Sequence, residues 1–175
     1  MISTIGDLGF DAYERLGPVL KCTPPVRSRE AVEGMWKRVL NGSIDMIGSD
    51  HSPSTLAQKN PDGGNFFDAW GGVQGVQTML PALFSEGTKR GLSIEKLVSL
   101  VSTEPARIFG LYPSKGVLRV GSDADLTVFD PEAHWTLSPK DLQYKNLHTP
   151  YIGMSFQGRV AMTISRGRIA FNLEL

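Results

Sequence analysis

Residues 44–53 read IDMIGSDHSP, and this stretch decides the fold of the sequence. A short, mostly apolar run from residue 44 to residue 48 leads directly into polar and turn-forming residues. Such a run predicts a buried strand that opens into a loop. Asp50 is the first acidic side chain after the predicted strand, so it is the natural candidate for a functional group.

The segments on either side of this stretch predict helices. Residues 28–40 place apolar side chains at helical spacing behind Ser28, which can cap the N-terminus of a helix. Residues 71–84 and 93–101 repeat that spacing. Helix, turn, strand and polar loop in this order are typical of an α/β fold. We expect the first two helices to flank a short pair of parallel strands.

The polar loop after Asp50 is long, and residues 52–70 are rich in Ser, Asn, Pro, Asp and Gly. A structureless connection of this length is unusual unless it is functional, so we expect an active-site loop beside a strand pair containing Cys22 and Ile47. In α/β barrels, functional side chains project from the carboxyl ends of strands, which is the place predicted for Asp50. An Asp there can also cap a turn or the next helix, and spacing alone leaves both interpretations open.

A boundary is predicted near Tyr112 and Pro113, where helical spacing gives way to short alternating runs separated by glycines. The chain therefore divides into residues 1–112 and a β-rich part, residues 113–175. Strands are predicted at residues 117–120, 126–129, 135–137, 160–164 and 168–171, with turns at 121–123 and 166–167.

The composition excludes several classes of partner. The 175 residues have a formal net charge of zero, which gives no electrostatic footprint for nucleic acid or an anionic membrane surface. No apolar run approaches the roughly 20 residues of a membrane span, and residues 1–4 lack the features of a secretory signal. Cys22 is the sole cysteine, so no internal disulfide forms, and a cytoplasmic protein is expected.

Several motifs follow one another along the chain: KCTPPVR at 21–27, GSDHSP at 48–53, AWGGVQGVQ at 69–77, GVLRVGSDADL at 116–126, and HTPY at 148–151 with GRV at 158–160. In this order they resemble the motifs of the cyclic amidohydrolases, the family of dihydroorotases, hydantoinases and allantoinases. The similarity runs from about Gly17 to Phe171. Trp70 and Gln77 resemble allantoinases more than dihydroorotases, so allantoinase is the subgroup that the motifs favour.

This resemblance implies a fold: the last strands and helices of a metal-dependent TIM-barrel amidohydrolase, followed by part of a small β-sandwich. It also implies hydrolysis of a cyclic amide or ureide, such as allantoin to allantoate in purine catabolism, by a metal-bridging hydroxide. Asp50 would ligate a divalent metal, by family zinc, and would carry a proton from the hydroxide to the leaving nitrogen. Thr23 and Gly72 would bind substrate through main-chain hydrogen bonds, and His51 would orient the loop.

The family's remaining metal ligands, a His-x-His, a carboxylated lysine and two further histidines, have no place here, because the sequence holds only His51, His134 and His148. A catalytic metal normally needs three or more protein ligands. We therefore expect an incomplete hydrolase that is inactive alone, as a truncated product, as a subunit completed by an N-terminal chain or a homo-oligomer, or as a remnant reused as a binding module.

Two alternatives stay open at this stage. The first is hydantoinase-, dihydropyrimidinase- or dihydroorotase-like chemistry on another ring. The second is a non-catalytic α+β interaction protein, in which replacing Asp50 would be nearly neutral.

Overall fold

A computed structural model describes residues 11–60 and 65–173. It has mixed α/β content, with α-helices before Phe109 and strands after Asp125. The residues that argued against a secretory signal, 1–4, lie outside the described part, as does a piece of the long loop, 61–64.

The α-helices are α1 (Asp11–Leu16), α2 (Arg29–Leu40), α3 (Leu56–Lys59), α4 (Val76–Lys89), α5 (Ile94–Val98) and α6 (Glu104–Ile108). The strands are β1 (Leu126–Thr136), β2 (Ser155–Ser165) and β3 (Arg168–Asn172). Further turns are 3-10 at Gly17–Leu20, Phe66–Asp68 and Pro139–Asp141, and π-helical at Ser99–Thr103.

Helix α2 confirms the prediction for residues 28–40. The side chain of Ser28 accepts a hydrogen bond from the N–H of Ala31 at 3.4 Å, which caps the first turn. Val32, Trp36 and Val39 repeat at three- and four-residue spacing and are all buried. The amphipathic pattern therefore identified both the helix and the face that it buries.

Helix α4 begins five residues later than residue 71, where the pattern placed its start. The intervening segment 71–75 contains three glycines and lies in irregular structure beside the Asp50 loop. Glycine is a poor helix former, so nothing in this segment favours helix over the loop contacts that it makes. The third predicted helix is confirmed and is longer than expected, because α5, the π-helical turn and α6 follow one another without a break.

The strand predicted at residues 44–48 is wrong, and so is its parallel pairing with the segment of Cys22. Residues 44–50 form no strand, and Cys22 lies in irregular structure. A strand exists only where a neighbouring backbone completes the ladder, and here the N–H of Ile47 donates to the carbonyl of Leu100, in the π-helical turn, at 3.0 Å. The parallel contact that the described residues do form is a single bridge between His51 and Val73.

The described strands form an antiparallel sheet in the order β1-β2-β3. Strand β1 merges the two predicted strands 126–129 and 135–137, with an irregularity between Asp130 and His134. The predicted turn at Arg166 and Gly167 is confirmed as the β2–β3 hairpin. The strand predicted at 117–120 is wrong: the segment pairs with no described strand, and Leu118 and Val120 are 84% and 102% exposed.

Helix α4 packs on β2 and joins the helices to the sheet. The Ser85 hydroxyl donates to the carbonyl of Gln157 and accepts from its N–H, at 2.9 and 2.8 Å. Phe84 packs edge-on against Phe129 in β1, with 5.0 Å between ring centroids. Gly158 allows this contact, because a Cβ there would lie 2.4 Å from the Phe129 ring and 2.6 Å from the Phe84 ring.

One buried cluster contains residues from both the helical part and the β-rich part. Its members are Ala12, Leu20, Cys22, Val73, Ala82, Leu137, Leu142, Tyr151 and Phe156. A second cluster lies between α2, α4 and α5 and is centred on Trp36, Leu83 and Leu97. No helix within the described part of the chain is long and apolar enough to cross a membrane.

Candidate functional site

Asp50 lies at the end of the extended segment after α2, exposed to solvent. Its φ is +47°, in the left-handed region that non-glycine residues seldom adopt. Such a conformation costs on the order of 1 kcal/mol or more and is found disproportionately at functional sites. The residues after Asp50 hold it in place: His51 forms the bridge to Val73, and the N–H of Ser52 donates to the carbonyl of Val73 at 3.0 Å.

His51 caps the N-terminus of α4. Its Nδ1 accepts hydrogen bonds from the N–H groups of Gly75 at 3.2 Å and Val76 at 3.4 Å, where Gly75 has no side chain to cap the helix. An accepting Nδ1 assigns the proton of the neutral ring to Nε2. The ring also packs against Tyr144, with 5.3 Å between centroids, and the Tyr144 hydroxyl accepts from the N–H of Gln77 at 3.0 Å. The position next to Asp50 is thus fixed to the start of a 14-residue helix.

Thr23 and Gly72 meet at the same junction. A Cβ on Gly71 would lie 2.9 Å from Oγ1 of Thr23, so the backbone of residue 71 passes directly over the Thr23 side chain. A Cβ on Gly72 would lie 2.2 Å from Oγ of Ser52, and the Trp70 indole N–H donates to that oxygen at 3.0 Å. Three segments distant in sequence therefore converge next to Asp50, with the glycines providing the space.

Two lysines that the sequence analysis did not single out tie these segments together. The Nζ of buried Lys59 donates to the carbonyls of Lys21 and Trp70, at 2.7 and 3.0 Å. The Nζ of Lys21 donates to the carbonyls of Phe67 and Ala69, at 2.5 and 2.7 Å. Lys21 opens the motif at 21–27, but no motif includes Lys59, and the partners of both lysines are backbone atoms far away along the chain.

His148 and its neighbours link the Asp50 loop to the β-rich part. A ring nitrogen of His148, Nε2, lies 2.7 Å from the carbonyl of Ser54, and the side-chain amide of Gln74 donates to the His148 carbonyl at 2.6 Å. The Thr149 hydroxyl donates to the carbonyl of Gln74 at 2.9 Å. These groups are buried, and the motif at 148–151 was the sequence signal that pointed to them. Their contacts hold the loop in place.

Two open clefts lie on the described surface, and Asp50 lines neither of them. One of about 550 Å³ is bordered by mostly apolar side chains of Leu16, Val19 and Leu56 and also touches Lys59. The other, of about 400 Å³, lies between α4 and the sheet and includes His134. At the junction Asp50 and Thr23 are exposed to solvent, whereas Gly72 is buried.

The described residues do not form a metal site. Within 11–60 and 65–173, no group of three or more His, Cys, Asp or Glu side chains converges as ligands. At the junction Asp50 is the candidate ligand, and His51 uses its Nδ1 on the start of α4. A hydrolytic metal normally needs three or more protein ligands, so these residues alone do not fit one.

Comparison with known proteins identifies the family. The model of the amidohydrolase family matches residues 18–170, and the chain therefore belongs to the amidohydrolase family. This confirms the family indicated by the motifs around Asp50.

The similar curated proteins include allantoinases. The chain is 46% identical over 158 residues to an allantoinase of Rubrobacter xylanophilus, covering 90% of this chain and 34% of the relative. It is 44% identical over 165 residues to one of Bacillus licheniformis, covering 94% and 36%. The resemblance to allantoinases that the motifs favoured is thereby confirmed. The chain spans about a third of the length of these relatives.

Similar solved structures are hydantoinases. L-hydantoinase (dihydropyrimidinase) from Arthrobacter aurescens has a TM-score of 0.87 and 36% identity, covering 95% of this chain and 37% of that one. D-hydantoinase (dihydropyrimidinase) from Thermus sp. has a TM-score of 0.86 and 32% identity, covering 94% and 37%. The described fold is thus that of the corresponding third of these enzymes.

Proposed function

We propose that this chain supplies the Asp50 region of a cyclic-amide hydrolase whose substrate is a small ureide such as allantoin. The observation that carries the proposal is the convergence of three separate segments, bearing Asp50, Thr23 and Gly72, at one junction where Asp50 is exposed to solvent. The similarity to allantoinases extends over 90% of the chain and includes all three segments.

The proposed reaction opens a ring by hydrolysis. Water attacks the carbonyl carbon of the cyclic amide while the Asp50 carboxylate accepts its proton. The carbon–nitrogen bond then breaks, and Asp50 delivers the proton to the leaving nitrogen, giving a carboxyl group and an N–H group. A carboxylate held at an exposed, strained position suits this transfer. Main-chain groups at Thr23 and Gly72 would hold the ring.

The rest of the site would come from outside the described residues. In this proposal residues 1–112 belong to the C-terminal portion of a TIM barrel, and residues 113–175 to the β-rich composite domain. Asp50 would be one ligand of a divalent metal, zinc, and the other ligands would come from a complementing N-terminal polypeptide or another subunit. The lone cysteine, Cys22, is buried and suits a reducing compartment, so the proposal places the protein in the cytoplasm.

Hydantoinase or dihydropyrimidinase chemistry is the second candidate. The solved structures with TM-scores of 0.87 and 0.86 carry those names, whereas the more identical curated relatives carry the name allantoinase. Both reactions break a cyclic amide bond, so the two candidates differ in the ring and share the role of Asp50.

The test measures metal content by elemental analysis and hydrolysis of allantoin and hydantoin, with zinc, manganese or cobalt added. Each assay uses the full chain alone and then mixed with a polypeptide equivalent to the first two thirds of an allantoinase. We expect turnover of allantoin in the mixture. Turnover of hydantoin alone would favour the second candidate, and no turnover in any mixture would overturn the proposal.

Asp50→Asn is the decisive variant in that mixture. Asparagine has the same shape and tolerates the left-handed backbone, but it cannot accept the proton, so we expect turnover to fall by at least about 100-fold, the lower range of general-base effects. Asp45→Asn removes an exposed carboxylate from the same segment and should leave turnover unchanged. Equal activity of the two variants would place Asp50 outside the chemistry.

A further inference from the structure

Lys59 carries a buried ammonium group at the centre of the junction. It is the last residue of α3, and only 1% of its surface is exposed. Its Nζ donates to the carbonyl of Lys21 at 2.7 Å and to the carbonyl of Trp70 at 3.0 Å. The first carbonyl lies two residues before Thr23, and the second lies two residues before Gly72. One side chain therefore joins the two segments that bear the proposed substrate contacts.

The same two segments are joined again in the opposite direction. The Nζ of Lys21 donates to the carbonyls of Phe67 and Ala69, in the turn that leads to Trp70. Lys59, in α3, thus donates to one backbone carbonyl in each segment, whereas Lys21 belongs to the segment of Thr23 and donates to two carbonyls just before Trp70.

From this geometry we infer that Lys59 is a positioning residue, which fixes the separation between the segment of Thr23 and the segment of Gly72. The inference rests on the proposed function in one respect: the proposed function supplies the ligand that Thr23 and Gly72 would bind. An apolar side chain of the same length would fill the space but would leave both carbonyls without this donor. Both hydrogen bonds lie in a partly buried site, where a carbonyl without a donor is unfavourable, so we expect the segments to separate to reach water.

The electrostatics of Lys59 agree with this role. The pKa of Lys59 is lowered to about 8, chiefly by burial; the neighbouring Cys22 acts in the opposite direction, and Lys21 contributes to the lowering. The pKa of Cys22 is itself raised, chiefly by burial, so its titration falls at higher pH than that of Lys59. The two groups can therefore be separated by their midpoints.

The first experiment is a pH titration of the full wild-type chain by two-dimensional ¹H–¹⁵N NMR. The amides of Cys22 and Gly71 share peptide units with the two carbonyls that Lys59 binds, so both should shift with one midpoint near pH 8. In Lys59→Met that midpoint should vanish from both amides, while it persists in Lys37→Met, which removes an exposed lysine of α2. Absence of the shared midpoint in the wild type would overturn the inference without any variant having to fold.

The second experiment measures amide hydrogen exchange in the same proteins. The N–H groups of Trp70 and Ser52 donate to the carbonyls of Gln58 and Val73, at 2.8 and 3.0 Å, and report on the junction. In Lys59→Met we expect both to exchange at least tenfold faster, while amides between β1 and β2 keep their rates. Uniform acceleration throughout the sheet would show that Lys59 has only a general role in stability, and unchanged rates at the junction would overturn the inference.

Neither readout depends on turnover. If hydrolysis fails but the titration and exchange changes appear as expected, the proposed reaction is rejected and Lys59 remains the residue that joins the two segments. If hydrolysis occurs but neither change appears, the role of Lys59 is rejected and the proposed reaction stands.

Discussion

Lys59 and Asp50 show how unequally the sequence reveals single residues. Asp50, Thr23 and Gly72 could be selected from motif positions, because a family motif records each position directly. Lys59 could not, because its partners lie 38 and 11 residues away and are backbone oxygens that any residue would provide. His51 was expected to orient the loop, yet its bond to the start of α4 depends on where that helix begins.

A residue-scale prediction concerns the pH dependence of stability. The pKa of Lys59 is lowered to about 8 in the folded chain, against an ordinary value of 10.5. Between these values the unfolded chain binds more protons, so the contribution of Lys59 makes the free energy of unfolding rise with pH, by at most about 3 kcal/mol. Below pH 8 this contribution is constant.

Urea unfolding between pH 7 and pH 10.5 checks this prediction. Lys59→Met should lack the rise, so the difference between its profile and that of the wild type should widen above pH 8. The free energy of unfolding of Lys37→Met should run parallel to that of the wild type over the whole pH range. Parallel profiles for all three proteins would contradict the lowered pKa.

At the scale of elements, helices were predictable and isolated strands were not. The helical pattern of residues 28–40 uses contacts within one segment, and α2 follows it closely. The apolar runs at 44–48 and 117–120 needed a second backbone to become strands. Among the described residues none pairs with them, so Ile47 bonds to Leu100 and Val120 remains exposed. The strands predicted on either side of the hairpin turn are confirmed as parts of β2 and β3, because the turn places each strand beside its partner.

The packing of α4 on the sheet gives a prediction with an internal control. Gly158 and Gly153 have nearly equal φ values, +83° and +84°, but a Cβ at residue 153 meets nothing within 4 Å. Gly153→Ala should therefore cost only backbone strain, about 1 kcal/mol. Gly158→Ala adds collision with Phe84 and Phe129, so we expect a total of roughly 2–4 kcal/mol. Thermal or urea unfolding would measure both, and equal losses would show that the aromatic contact can adjust.

At the scale of the whole molecule, the core crosses the boundary at which the sequence pattern changes. Cys22 and Ala82 from the helical part share one cluster with Leu137 and Phe156 from the β-rich part. Periodicity identified the two kinds of secondary structure on either side of Pro113. It could not reveal this shared interior, because contact between distant segments leaves no periodic trace.

A shared core predicts one cooperative unfolding transition for the whole chain. Helix content followed by far-UV circular dichroism, and the tryptophan fluorescence of Trp36 in α2 and Trp135 in β1, should give the same urea midpoint. Two separated midpoints would mean that the helical part and the sheet unfold independently.

The glycines at the junction also set limits on how this protein can be redesigned. Any side chain at Gly72 would collide with Ser52, and one at Gly71 would press on Thr23, so a mutant library that randomises these positions would mostly yield misassembled loops. Phe67 and Trp70 border the same junction and are 83% and 45% exposed. Phe67 is therefore the position at which the loop can change its chemistry and keep its path, whereas replacing Trp70 would remove its hydrogen bond to Ser52.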